Sequence, residues 1–192
     1  MKTVLLGSCL GLLSAGAVWA DCPVAADLDK GIRFTVNAQE SETIRNYGDG
    51  VLLSLYEVEG ATGSHVLLGQ GIYLLQLMDI EDGKPLASTR STYAYAMRPS
   101  EMPVPTPNGG WNAQYMSEGF EAQSVEYVFG ALTKQSFGEC SYDMIPVDAV
   151  YQPAGDHEIL HYFPELGLSY LAGYYDNGKL ERYSYVGISA VE

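Results

Sequence analysis

Along most of the chain apolar and polar residues alternate with a period of two, and clusters of Gly, Asn, Asp and Pro interrupt the pattern at short intervals. No long segment keeps an apolar stripe at helical spacing. This predicts half-buried β-strands joined by tight turns. The clearest unit is C-terminal, where Asn177-Gly178 separates two β-rich arms, 167–175 and 179–188. Asn-Gly tolerates the positive φ angles of a type I′ hairpin turn. With these two residues as the turn, pairing partners sum to 355, which sets Leu168, Tyr170, Ala172 and Tyr174 opposite Gly187, Tyr185, Tyr183 and Glu181. The other face carries Leu171, Tyr175, Leu180, Val186 and Ile188. Two partly apolar faces place this hairpin inside a larger sheet.

A second hairpin is expected around Asp82-Gly83, with 71–80 pairing back on 85–95, and a third turn at 47–50 between a strand region 32–47 and a strand 51–58. Further β-rich runs cover 111–116, 123–132, 142–151 and 159–163. The expected fold is mainly β with little helix. It is a single antiparallel meander-type sheet closed as a sandwich, barrel or half-barrel. Four prolines within 98–110 remove backbone donors and hold that stretch near polyproline II, so it is read as a long semi-rigid loop inside one β-rich domain, 21–192, rather than a strand or an interdomain linker.

The start of the chain reads differently. Residues 1–20 hold one positive charge at Lys2, an apolar run and a small-residue ending at Ala20, the pattern of a secretory signal peptide. The run is too short to span a bilayer, and no later segment is read as a transmembrane helix. Leu6-Gly7-Ser8-Cys9 has the residue types of a bacterial lipid-attachment box, but only five residues precede it. Cleavage after Ala20 removes Cys9 and leaves Cys22 and Cys140, and two thiols in an exported chain predict one disulfide, with two buried free thiols as the alternative. The expected location is therefore the periplasm or the extracellular space.

Ten basic against 24 acidic residues give a net charge of −14, and loss of Lys2 makes it −15. Such a surface repels nucleic acid and anionic lipid. A 47% apolar composition is too rich for a disordered acidic chain, so a sizeable core is expected.

The sharpest chemical string is His157-Glu158-Ile159-Leu160-His161. On a helix, H-E-x-x-H sets two imidazoles one turn apart to hold Zn²⁺ while the glutamate activates the metal-bound water. Glu181 follows 20 residues after His161, and this spacing resembles the third ligand of thermolysin-like zinc peptidases. The resemblance covers these motifs alone and implies a zinc-dependent hydrolase with ligands His157, His161 and Glu181 and base Glu158. Pro153, Gly155, Pro164 and Gly167 crowd the string on both sides and break such a helix, and the Asn177-Gly178 hairpin claims Glu181. A strand through 159–163 is the expected form, with zinc the alternative. His65, the remaining histidine, is read at an exposed strand edge after a loop at Gly63-Ser64. The acidic clusters at Asp27 and Asp29, at Asp79, Glu81 and Asp82, and at Asp176 lack the ligand series of a calcium loop and read as solvated turns.

Tyrosine is abundant, with 15 in the chain and eight of them within 142–185. Its flat ring packs in sheets while its hydroxyl stays polar. A groove lined by Tyr170, Tyr174, Tyr183 and Tyr185 is the candidate binding surface, for an apolar or glycan ligand or a protein partner. The functional expectation is an exported, non-catalytic β-domain that binds a ligand or partner without a cofactor. Envelope lipid carriers built as half-barrels share its size and strand density by analogy of architecture.

Overall fold

The computed structural model describes residues 21–117 and 122–192. Residues 1–20, where a signal peptide is expected, lie outside them, as does Leu6-Gly7-Ser8-Cys9 within that stretch. The strands are β1 (Ile32–Asn37), β2 (Glu40–Gly48), β3 (Val51–Val58), β4 (Gly63–Gly69), β5 (Tyr73–Glu81), β6 (Lys84–Pro85), β7 (Ser91–Thr92) and β8 (Ala94–Tyr95). They continue with β9 (Gly110–Met116), β10 (Ala122–Phe129), β11 (Thr133–Phe137), β12 (Cys140–Gln152), β13 (His157–Phe163), β14 (Leu168–Asp176), β15 (Lys179–Arg182) and β16 (Gly187–Ala190). Among the described residues helix is confined to short 3₁₀ turns. Two antiparallel sheets pack together as a sandwich, one in the order β16-β1-β2-β3-β4-β5-β6 with β7 on β5, the other β15-β14-β13-β12-β10-β9-β8 with β11 on β12.

Most hairpins follow local turn chemistry. Asn177 and Gly178 both adopt positive φ, 48° and 78°, and the register Tyr174↔Glu181 and Asp176↔Lys179 is the one the 355 sum gives. Three expectations need correction. First, 32–47 is a hairpin rather than one strand, because the Asn37 side-chain carbonyl accepts from the Gln39 amide at 2.9 Å and reverses the chain. Second, the arm after Asp82-Gly83 pairs only at Lys84–Pro85. Proline has no amide hydrogen to extend the ladder, and the chain bulges out through a 3₁₀ turn before β7 rejoins Gln76 and Leu77. Third, the final arm does not continue to 188. After a last bond from the Tyr183 amide to the Ala172 carbonyl it leaves β14, and β16 crosses to pair with β1 in the other sheet.

Two apolar clusters form the core of the sandwich. One gathers Ile32, Phe34, Ile44, Phe163, Leu168 and Tyr170. The other gathers Tyr73, Tyr127, Val125, Ile145, Val147 and Leu160. Strand β12 serves both, since its buried positions are Cys140, Tyr142 and Met144 and then Ile145, Val147, Ala149 and Tyr151. Neighbouring strand residues face opposite ways, so the buried face changes at Met144-Ile145. Pro146 stands between the last β11 pair, Thr133↔Met144, and the first β10 pair, Phe129↔Val147, where the ladder changes partner and a missing amide costs least.

Cys22 and Cys140 form the expected disulfide, with Cα atoms 5.4 Å apart across 118 residues of sequence. Beside it the Tyr142 hydroxyl donates to the Pro23 carbonyl at 2.8 Å. The proline-rich stretch is packed: Met102 is buried in the second cluster, and the Pro99 and Pro103 carbonyls accept from Gln70 and Tyr73. Among the described residues no helix is long and apolar enough to cross a membrane.

Candidate functional site

The inner face of the β3-β4-β5 region carries Tyr56, Ser64, Val66, Leu68, Leu74 and Leu77, by alternation in β3 and β4 and, in β5, by a bulge at Leu75 that brings Leu74 and Leu77 to the same face. Opposite stand Glu158 and Leu160 from β13, Ser169, Tyr170 and Leu171 from β14, and Tyr183 and Tyr185 from the stretch that leaves β15. Between them lies a cavity of about 230 Å³. Val66, Leu74, Leu77 and Leu171 belong to neither apolar cluster and remain half-buried. The two sheets are thus held together on either side of a space that their own side chains do not fill.

The rim of that space is fixed by a close backbone approach. The Ser169 amide and its hydroxyl both donate to the Gly71 carbonyl at 2.8 Å, joining β14 to the β4-β5 turn, and Ser169 is fully buried. Gly71 has φ +70°, and a Cβ there would lie 2.4 Å from the Gly167 carbonyl oxygen and 2.8 Å from the Leu168 Cα. Only glycine lets the two sheets touch at this point.

Two carboxyl groups reach the cavity. Glu42 of β2 is only 7% exposed, and its two oxygens accept from the Ser54 hydroxyl at 2.5 Å and the Tyr185 hydroxyl at 2.7 Å. Burial pushes its pKa up from the ordinary glutamate range, and the two hydroxyl donors pull it partly back. Glu158 accepts from the Tyr151 hydroxyl at 3.1 Å, and desolvation raises its pKa as well. Among the described residues no lysine, arginine or histidine is on the cavity wall.

The tyrosines named from the sequence divide. Tyr170, Tyr183 and Tyr185 line the cavity, while Tyr174 stacks on Tyr183 at 6.2 Å, outside the lining. Tyr170 and Tyr185 lie 4.3 Å apart between ring centres, close to their expected juxtaposition even though the strand pairing ends before Tyr185. Burial raises the pKa of both hydroxyls far above the ordinary tyrosine value, so each remains a donor at neutral pH.

The zinc string takes the form of strand β13, the conformation that Pro153 and Pro164 left open. His157 and His161 are then about 13 Å apart along the strand instead of one helical turn. His157 stacks on Tyr175 and contacts Asp148 at 2.8 Å through Nε2, and His161 Nδ1 contacts the Tyr170 hydroxyl at 2.9 Å. Desolvation, with Arg182 nearby, lowers the His161 pKa. Glu181 pairs with Lys179 and sits in the row Glu158↔Tyr174↔Glu181, on the other face of the sheet from both imidazoles. The chain folds back after Phe163, so Glu181 is roughly 14 Å from His161 by strand spacings rather than tens of ångströms away. His157, His161 and Glu181 do not converge, whereas Glu158 faces the cavity.

His65 is in the interior of β4, paired with Leu55 and Met78, not at a sheet edge. Sequence reasoning missed Glu42 and Ser54 entirely. Glu42 lies within the expected strand region 32–47 with nothing local to mark it, and its partners are Ser54 on the next strand and Tyr185, 143 residues away.

Comparison with family models, with curated proteins and with solved structures returns no match for this chain.

Proposed function

We propose that this is an exported, non-catalytic binding protein that holds a small, largely apolar ligand between its two sheets. The observation that carries this reading is the cavity of about 230 Å³, whose aliphatic wall includes Val66, Leu74, Leu77 and Leu171, half-buried side chains that belong to neither core. Apolar side chains left half-exposed inside a sandwich forgo burial worth about 25 cal/mol per Å². A ligand that covers them recovers that energy, and the tyrosine hydroxyls and carboxyls at the wall orient it. The space is about one and a half times the ~150 Å³ of an engineered cavity that takes up benzene, so the fitting ligand is a compact ring or a short alkyl chain. Export is supported by the Cys22–Cys140 disulfide, which persists in oxidising compartments, and by the leader-like composition of 1–20.

The test is thermal and urea unfolding of the purified oxidised protein with 1-octanol. A ligand present at a hundredfold excess over its Kd raises stability by about 2.7 kcal/mol. Val66→Trp fills the cavity from β4 and abolishes the shift while the fold persists by circular dichroism. An absence of any shift in the parent protein at saturating 1-octanol refutes the reading.

A further inference from the structure

Beside its serine and tyrosine hydroxyls, the cavity wall carries carboxyls and, among the described residues, no basic side chain. Glu42 and Glu158 both present carboxyls, the hydroxyls of Ser54 and Tyr185 are already directed at Glu42, and no cation faces either acid from the wall. A buried carboxyl without a counter-charge is costly, and its best partner is a group that brings both donors and positive charge. Each carboxylate oxygen has two acceptor positions, so the single bond that Ser54 or Tyr185 makes to each Glu42 oxygen leaves room for a further donor. A ligand carboxylate would meet two like charges in a poorly solvated space, and its entry would leave three acids with no base among them.

Resting on the binding reading above, we propose that the cavity selects primary amines with a short apolar body, the ammonium seated against Glu42 with Glu158 as a second acceptor and the hydrocarbon against Val66, Leu77 and Leu171. The whole-chain charge acts in the same sense, because −14 draws cations and repels fatty acids before contact. The hydrocarbon supplies affinity and the carboxyls supply choice. Charge-assisted hydrogen bonds are about twice as strong as neutral ones, and they separate the amine from an alcohol of equal length.

Three probes of matched length, 1-octylamine, 1-octanol and octanoate, separate these contributions by calorimetric titration of the oxidised full-length protein at pH 7. The expected result is tighter binding of the amine than of the alcohol by about tenfold or more, with no detectable binding of octanoate. Glu42→Gln keeps the side chain's shape, and in it the preference for the amine over 1-octanol falls to about twofold or less, while a near-ultraviolet circular dichroism spectrum like the parent's shows that the variant is folded. Equal binding of amine and alcohol in the parent, tighter binding of octanoate, or a preference that survives in both Glu42→Gln and the Glu42→Gln, Glu158→Gln double variant overturns the amine selectivity while leaving the apolar-binding reading standing. Binding of none of the three overturns both.

Discussion

Gly71 and Glu42 are single positions on which the meeting of the two sheets depends. At Gly71 a methyl group would lie 2.4 Å from a backbone oxygen at a φ that L-residues rarely adopt, so Gly71→Ala must open the contact that Ser169 closes. The expected loss is about 2–4 kcal/mol in urea unfolding, from strain together with an unsatisfied buried serine. A loss below 0.5 kcal/mol would mean that the rim is not rigid. At Glu42 the folded-state pKa lies above the unfolded value. The native state therefore holds the proton more tightly, and this contribution to stability is full below the unfolded pKa, near the ordinary 4.5, and is lost as pH rises through the folded value. Glu42→Gln removes the titration, so its stability relative to the parent should improve between pH 4.5 and pH 8. Parallel pH profiles for the two proteins would contradict the burial that drives the shift. Neither role was legible beforehand, since Gly71 stands only as the first residue of the expected arm 71–80 and Glu42 only as one position of the expected strand region 32–47. Both owe their roles to partners about a hundred or more residues away, at Gly167 to Ser169 and at Tyr185.

At the scale of strands and turns, what could be read was what local chemistry decides. Asn177-Gly178 fixed a register that the structure keeps pair for pair from Gly173↔Arg182 to Asp176↔Lys179, and the prolines around 157–161 excluded the helix. Where a strand stops or changes partner could not be read in the same way, because that depends on which surface it meets. The arm after Arg182 leaves β14 to cover Glu42 and Phe34 and then pairs with β1. Strand β12 gives the sharpest test of partner change. In an ordinary half-buried strand one of two neighbouring residues faces water and tolerates truncation. Here Met144 and Ile145 are both buried, at the point where the strand passes from one core to the other. Met144→Ala and Ile145→Ala should each cost about 2–4 kcal/mol in urea unfolding, against less than 0.5 kcal/mol for exposed Ser141→Ala. A small effect at either Met144 or Ile145 would show that the buried face does not switch there.

For the whole molecule, the mainly antiparallel β architecture and the disulfide were legible because alternation and cysteine count are properties of the chain itself. The cavity was not, since its wall draws on β2, β3, β4, β5, β13, β14 and the segment beyond β15, and a space between sheets leaves no signature in any one of them. The same long-range assembly makes the Cys22–Cys140 bridge consequential. It spans 118 residues, from before β1 to the start of β12, so in the unfolded chain it closes a loop that takes in most of the described protein. Loop-closure entropy for that length corresponds to at most about 5 kcal/mol, and it acts on the unfolded state. Reduction should therefore lower stability by about 2–5 kcal/mol and, because the freed chain expands further, raise the urea m-value. In the folded state the Tyr142 bond to Pro23 still holds the N-terminal segment near β12, so near-ultraviolet circular dichroism in the absence of denaturant should change little on reduction. A fall below 1 kcal/mol with an unchanged m-value would show that the bridge does not restrain the unfolded chain, and a collapse of the aromatic signal would show that it holds the native sandwich together directly.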